Sequence, residues 1–190
     1  MDGLATWRSS LKKWIRMYAG LLIPVILIIA LDQYTKYLVE TRLAYGAVWA
    51  PFDWMLPYAR VIHWTNTGVA FGLFQGVGWI FSVFAIIIAA AILYYFPRIE
   101  KSDWAIRVAL VLEMAGAIGN LVDRIRLNGA VLDFISVGNF PVFNVADSCI
   151  TVGVFFLGVG ILIQDHRERK KSLEEATLKD KPGEESSGKA

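Results

Sequence analysis

Residues Val77 to Phe96 read VGWIFSVFAIIIAAAILYYF, twenty positions without a charge. A helix rises ~1.5 Å per residue, so a run of this length spans the ~30 Å hydrocarbon core of a bilayer. Three further segments are long and apolar enough to do the same: Tyr18 to Val39, Trp104 to Val122 and Ala146 to Gln164. The chain has 190 residues, of which 56% are hydrophobic. A soluble domain of that length cannot hide so much apolar surface, so lipid has to be part of its solvent.

Basic residues orient the spans. Arg8, Lys12, Lys13 and Arg16 precede the first, Arg98, Lys101 and Arg107 surround the turn between the second and third, and Arg167, Arg169, Lys170 and Lys171 follow the fourth. Cytoplasmic flanks collect Lys and Arg, so both termini are expected in the cytoplasm. The Glu40–Gly76 and Asp123–Val145 loops then lie outside. The basic ends suit anionic lipid headgroups, and no nucleic-acid partner is expected. Leu4, Trp7, Leu11, Trp14 and Ile15 recur near helical spacing, which predicts a short interfacial helix ahead of the first span. The first span itself is read as retained. It runs into Asp32-Gln33-Tyr34-Thr35-Lys36 rather than into a small-residue cleavage motif.

In the first outer loop, Tyr58 to Thr65 is rich in aromatic and β-branched residues and predicts a strand. The expected architecture is an all-α integral membrane protein, with four transmembrane helices and a small extracytoplasmic β-sheet. Residues 1–165 form one membrane-embedded domain, expected to be monomeric. Residues 166–190 are expected to be a charged tail, disordered or partly helical.

Cys149 is the single cysteine, and His63 and His166 stand far apart, so neither a disulfide nor a metal cluster of the usual spacing is available. No cofactor is expected, and hydrolytic chemistry has to come from carboxylates. An ionisable residue within a span is costly unless paired or facing water, which makes each one a functional candidate. Asp32 and Lys36 lie at i and i+4 near the outer end of the first span. Asn120, Asp123 and Arg124 end the third, Asn144 and Asp147 open the fourth, and Asn66 and Asp133 stand on the outer loops. All of them fall at the outer interface.

Simpler roles exist for most. Asp32 and Lys36 suit a structural ion pair, Asn144 and Asp147 suit helix capping, and Asn66 before Gly68 suits a turn. Asp133 is different, because Val131-Leu132-Asp133-Phe134-Ile135 gives a lone carboxylate little local purpose. If the chain folds back between Asp133 and Asp147, the two carboxyls can share a proton, one acting as base on water and the other as acid. Glu113, nearer mid-span, must face the bundle interior, water or a partner.

Five blocks, in order, resemble the lipoprotein signal peptidases of bacteria: Asp32–Lys36, Asn66–Gly72, Gly116–Arg124, Val131–Ile135 and Phe143–Ser148. The resemblance covers roughly residues 18 to 164. It implies a membrane aspartic peptidase that removes the signal peptide from diacylglyceryl-modified prolipoproteins, on the amino side of the lipidated cysteine. It also implies inhibition by the cyclic peptide globomycin and residence in the bacterial inner membrane, with the active site extracytoplasmic. Asp133 and Asp147 carry over as catalytic, and Asn66, Asn120, Asp123, Arg124 and Asn144 as supporting or substrate-binding. Asp32 and Lys36 carry over as structural. Ala115 departs from the family's usual glycine pair. Two other readings are a proton-coupled transporter, which needs charges spread through the membrane depth, and a noncatalytic scaffold, which would tolerate Asp133→Asn.

Overall fold

A computed structural model of the protein describes residues 2–68 and 76–179. Its helices are α1 (Asp2–Arg42), α2 (Gly78–Tyr95), α3 (Trp104–Arg126) and α4 (Val145–Lys179), and its strands are β1 (Val48–Trp49), β2 (Ala59–Asn66) and β3 (Val131–Val137). All four helices are long and apolar enough to cross a membrane. Their outer surface agrees: Ile23, Leu27, Ile86, Phe155 and Leu162 are each more than half exposed. Such a shell is unstable in water and ordinary against acyl chains.

α3 is the central helix, packed against each of the other three. Its inward face is built of small residues, including Ala105, Ala109, Ala115, Gly116, Ala117 and Gly119, all buried. Small side chains let membrane helices approach closely, where apolar burial alone gives no drive against lipid. A methyl group at Gly116 would sit 2.5 Å from the Ala146 carbonyl oxygen of α4, so that contact is nearly backbone to backbone. Ala115, by contrast, has room for its methyl. It lies in an apolar cluster with Leu21, Val25, Ile92, Phe96 and Met114.

Two boundaries differ from the sequence expectation. The amphipathic front and the first span are one unbroken helix, not two. No glycine or proline separates Ile15 from Tyr18, and the proline that does occur, Pro24, lies inside the helix without ending it. The fourth helix does not stop at Gln164 but continues to Lys179. Residues 165–179 contain neither glycine nor proline, and the pairs Arg169–Asp165 (2.9 Å) and Lys170–Glu174 (3.9 Å) bridge successive turns. The rest of the tail and Val69–Gly72 of the second sequence block lie outside the described residues.

The strands form an antiparallel sheet in the order β1-β2-β3. β2 matches the predicted strand to within a residue. Between Val61 and Trp64 it carries one residue more than β3 does, a bulge beside the site. Val39, Leu132 and Phe134 form a second apolar cluster that seats the sheet on the helix ends. At the opposite end, Arg167 of α4 pairs with Asp103 at 3.0 Å, clipping α4 to the turn between α2 and α3.

Candidate active site

Beyond β3 the chain turns through Gly138 and comes back on itself. The Phe143 amide donates to the Ile135 carbonyl at 3.0 Å, and the Phe143 carbonyl accepts from the amides of Phe134 and Ile135. This fold-back delivers Asn144 to Asp133. Asn144 is fully buried, and its Nδ2 donates to Asp133 Oδ1 at 2.8 Å.

Asn144 also starts α4. Its Oδ1 accepts the Asp147 amide at 2.9 Å, while its own amide donates to Asp147 Oδ2 at 3.2 Å. This is a reciprocal capping box, which satisfies otherwise unpaired donors at the helix start. The capping role read from the sequence and the site role are therefore the same arrangement. One residue holds both carboxyls, Asp133 by its side chain and Asp147 by its backbone.

Asn120 of α3 is the second pivot. Its Nδ2 donates to Asp147 Oδ1 at 2.7 Å, and its Oδ1 accepts from Lys36 Nζ at 3.2 Å and from Asn144 Nδ2 at 3.1 Å. Lys36, with no exposed surface, also meets Asp32 at 2.9 Å and Asp123 at 2.8 Å. An ammonium has three donors, and all three are used. Each carboxylate has further work: Asp32 Oδ1 accepts the Ala146 amide at 3.0 Å, and Asp123 Oδ2 accepts the Leu132 amide at 3.1 Å. The Asp32–Lys36 pair is thus one side of a larger buried cluster that pins β3 and the start of α4 to α1 and α3. Asp123 is fully buried, so it serves this cluster and does not meet solvent.

Gln33 was not singled out from the sequence. Its Nε2 donates to Asp32 Oδ2 at 3.1 Å, to the Gly119 carbonyl at 3.2 Å and to Asp123 Oδ1 at 3.0 Å. Its place between Asp32 and Lys36 in the first block was the available signal. Asn66 ends β2, where its Oδ1 accepts the Gly68 amide at 3.0 Å and its side chain hydrogen-bonds Asp133. Arg124 lies over the Phe81 ring at 5.5 Å, within electrostatic reach of Asp147, Asp123 and Asp133. Glu113 sits well below this level and faces α4, against Gly153. Its Oε1 has no hydrogen-bond partner among the described residues.

Asp133 is 4% exposed. Burial, and then the Asp147 carboxylate beside it, push its carboxyl up to about 7, against the opposing hydrogen bonds from Asn144 and Asn66.

Residues 24–163 match the family model for signal peptidase (SPase) II. The chain belongs to the signal peptidase II family. A lipoprotein signal peptidase of Shouchella clausii is 41% identical over 79% of this chain and 97% of its own. That of Staphylococcus aureus is 34% identical over 81% of this chain and 94% of its own. Two solved bacterial membrane enzymes share the fold. One has a TM-score of 0.66 at 30% identity, covering 87% of this chain and 94% of its own. The other has a TM-score of 0.65 at 32% identity, covering 75% and 92%.

The chain is therefore a multi-pass membrane peptidase of the signal peptidase II family, as the five sequence blocks imply. The described parts of all five blocks meet at one end of the bundle. The match leaves out residues 164–179, the last residue of the predicted span and the part of α4 beyond it.

Proposed function

We propose that this peptidase is an aspartic endopeptidase that cleaves diacylglyceryl-modified prolipoproteins on the amino side of the lipidated cysteine, with Asp133 and Asp147 as its catalytic pair. The observation that carries the reading is the position of Asn144, bonded to Asp133 through Nδ2 at 2.8 Å and to Asp147 through its amide at 3.2 Å. Two carboxyls held about a common residue favour a state with one proton between them. The ionised carboxyl takes a proton from water, and the other protonates the scissile carbonyl. In this reading Arg124 and Asn66, both beside the aspartates, bind the substrate backbone.

The site lies beside the sheet, at the level of the outer helix ends. A substrate whose acyl chains stay in the membrane holds its scissile bond near that depth, so little vertical movement is needed. The basic flanks support a reading with both termini in the cytoplasm and this site on the extracytoplasmic face.

The test is cleavage of a diacylglyceryl-modified prolipoprotein in detergent. Asp133→Asn and Asp147→Asn should each abolish turnover in folded protein, globomycin should inhibit the wild type, and EDTA should change nothing. Cleavage by either variant would remove the pair from the mechanism. Equal cleavage of unlipidated precursor would remove the lipid from substrate recognition.

A further inference from the structure

Amide side chains have a direction, and here two of them are fixed by groups that can only donate. The Asp147 amide requires an acceptor, so Oδ1 of Asn144 faces it and Nδ2 is left for Asp133. Lys36 Nζ also requires an acceptor, so Oδ1 of Asn120 faces the lysine and Nδ2 is left for Asp147. A flipped Asn120 would set its NH2 against an ammonium with no acceptor to offer. The polarity therefore runs one way, from Lys36 through Asn120 to Asp147.

The two carboxyls receive this polarity unequally. Asp147 has a donor on each oxygen, Asn120 Nδ2 at 2.7 Å and the Asn144 amide at 3.2 Å, and stands in the first turn of α4, where the helix field favours negative charge. Asp133 is on a strand, without a helix terminus, and among the described residues receives the side-chain amides of Asn144 and Asn66. We propose that Lys36, acting through Asn120, is a positioning residue that keeps the resting charge on Asp147 and the shared proton on Asp133. The inference rests on the proposed aspartic mechanism and gives each aspartate its part in it.

Asp147 removes a proton from water as the water oxygen bonds to the carbonyl carbon, and Asp133 gives its proton to the carbonyl oxygen. Asp147 then passes its proton to the leaving cysteine nitrogen as the C–N bond breaks. A hydroxyl of the diol returns a proton to Asp133, which restores the resting state.

The test is the pH dependence of kcat/KM on lipidated substrate. Among the described residues, the charged groups facing Asp147 are Asp32 and Lys36 from α1, Arg124 from α3 and Asp133 from β3, with Asp123 of α3 reached through Lys36, while α2 has none. The double variant Lys36→Met with Asp123→Asn keeps the net charge of the buried cluster and removes the ammonium that donates to Asn120 and pairs with Asp32, leaving Asn144 Nδ2 as the donor to Asn120 Oδ1. Its acid limb should move up by about one pH unit, since Asp147 ionises less readily. Its kcat should fall roughly 100-fold with KM little changed.

Asn120→Ala removes the relay itself and should give the same shift. Adding it to the double variant should shift the limb no further, since groups in one network are not additive. An acid limb left at its wild-type position in either folded variant overturns the inference. If the double variant does not fold, Asn120→Ala decides alone. Activity in Asp133→Asn or Asp147→Asn instead overturns the aspartic mechanism, which is a separate outcome.

Discussion

Asp133 is held at a cost to the fold. Its carboxyl titrates near 7 in the folded protein, against 3.8 for the ordinary group. Between those values the folded state binds a proton that the unfolded chain does not, so stability falls as pH rises from about 4 to 7 and stays lower above it. Asparagine removes the titration. Asp133→Asn should therefore gain thermal stability relative to wild type at pH 8 compared with pH 4.5, by at most about 4 kcal/mol at ~1.4 kcal/mol per pH unit. An equal difference at both pH values would show that burial does not load this carboxyl. Under the proposed aspartic mechanism the same value sets the basic limb of catalysis. Turnover should decline as pH rises through about 7, because the acid loses its proton. The sequence pointed to Asp133 through its apolar neighbours. It could not give the loss of solvent that raises its proton affinity, because that burial is produced by β2, α1 and the start of α4 together.

At the scale of elements, the junction of α3 with α4 decides where Asp147 stands. A methyl at Gly116 would meet the Ala146 carbonyl oxygen at 2.5 Å and Ile150 Cγ1 at 2.6 Å, and backbone cannot give way cheaply. Gly116→Ala should cost about 1–3 kcal/mol in detergent unfolding and lower kcat, because Ala146 adjoins Asp147. Gly158, on the exposed side of α4, has nothing within 4 Å of an added methyl, so Gly158→Ala should leave activity intact and add up to ~1 kcal/mol. If the two substitutions prove alike, close approach of α3 and α4 is not what positions the site. Asn144→Ala tests the joint role of cap and clamp. It should lose about 1 kcal/mol of helix stability and also nearly all turnover, whereas a cap alone would spare the rate. Small residues along the third span and the asparagine three positions before Asp147 were both visible in the sequence. The partner surfaces that give them their purpose were not, since a contact at 2.5 Å depends on how two helices cross.

For the whole molecule, the sidedness of the site is open to direct measurement. In a Cys149→Ala background, a cysteine at exposed Trp54, beside the sheet, should react with a membrane-impermeant thiol reagent from outside the cell. A cysteine at Ser172 on the far end of α4 should react only after permeabilisation. The reverse pattern would place the site in the cytoplasm. Much of the architecture was legible from the order of residues. Four apolar runs of bilayer length can satisfy their backbone only as helices, their basic flanks agree on one orientation, and the polar residues cluster at one level. These are local properties of composition and length, and tertiary contact is not needed to read them. The continuous course of α1 was missed, and a partly helical tail was expected without its extent to Lys179, for a local reason too, since hydropathy marks where lipid ends and not where a helix does. The joining of Lys36 to Asp123, the part played by Gln33, and the direction of each amide in the network were decided only by the tertiary structure. They depend on α1, α3, β3 and α4 meeting at one point, where a buried ammonium and a helix-start amide each demand an acceptor.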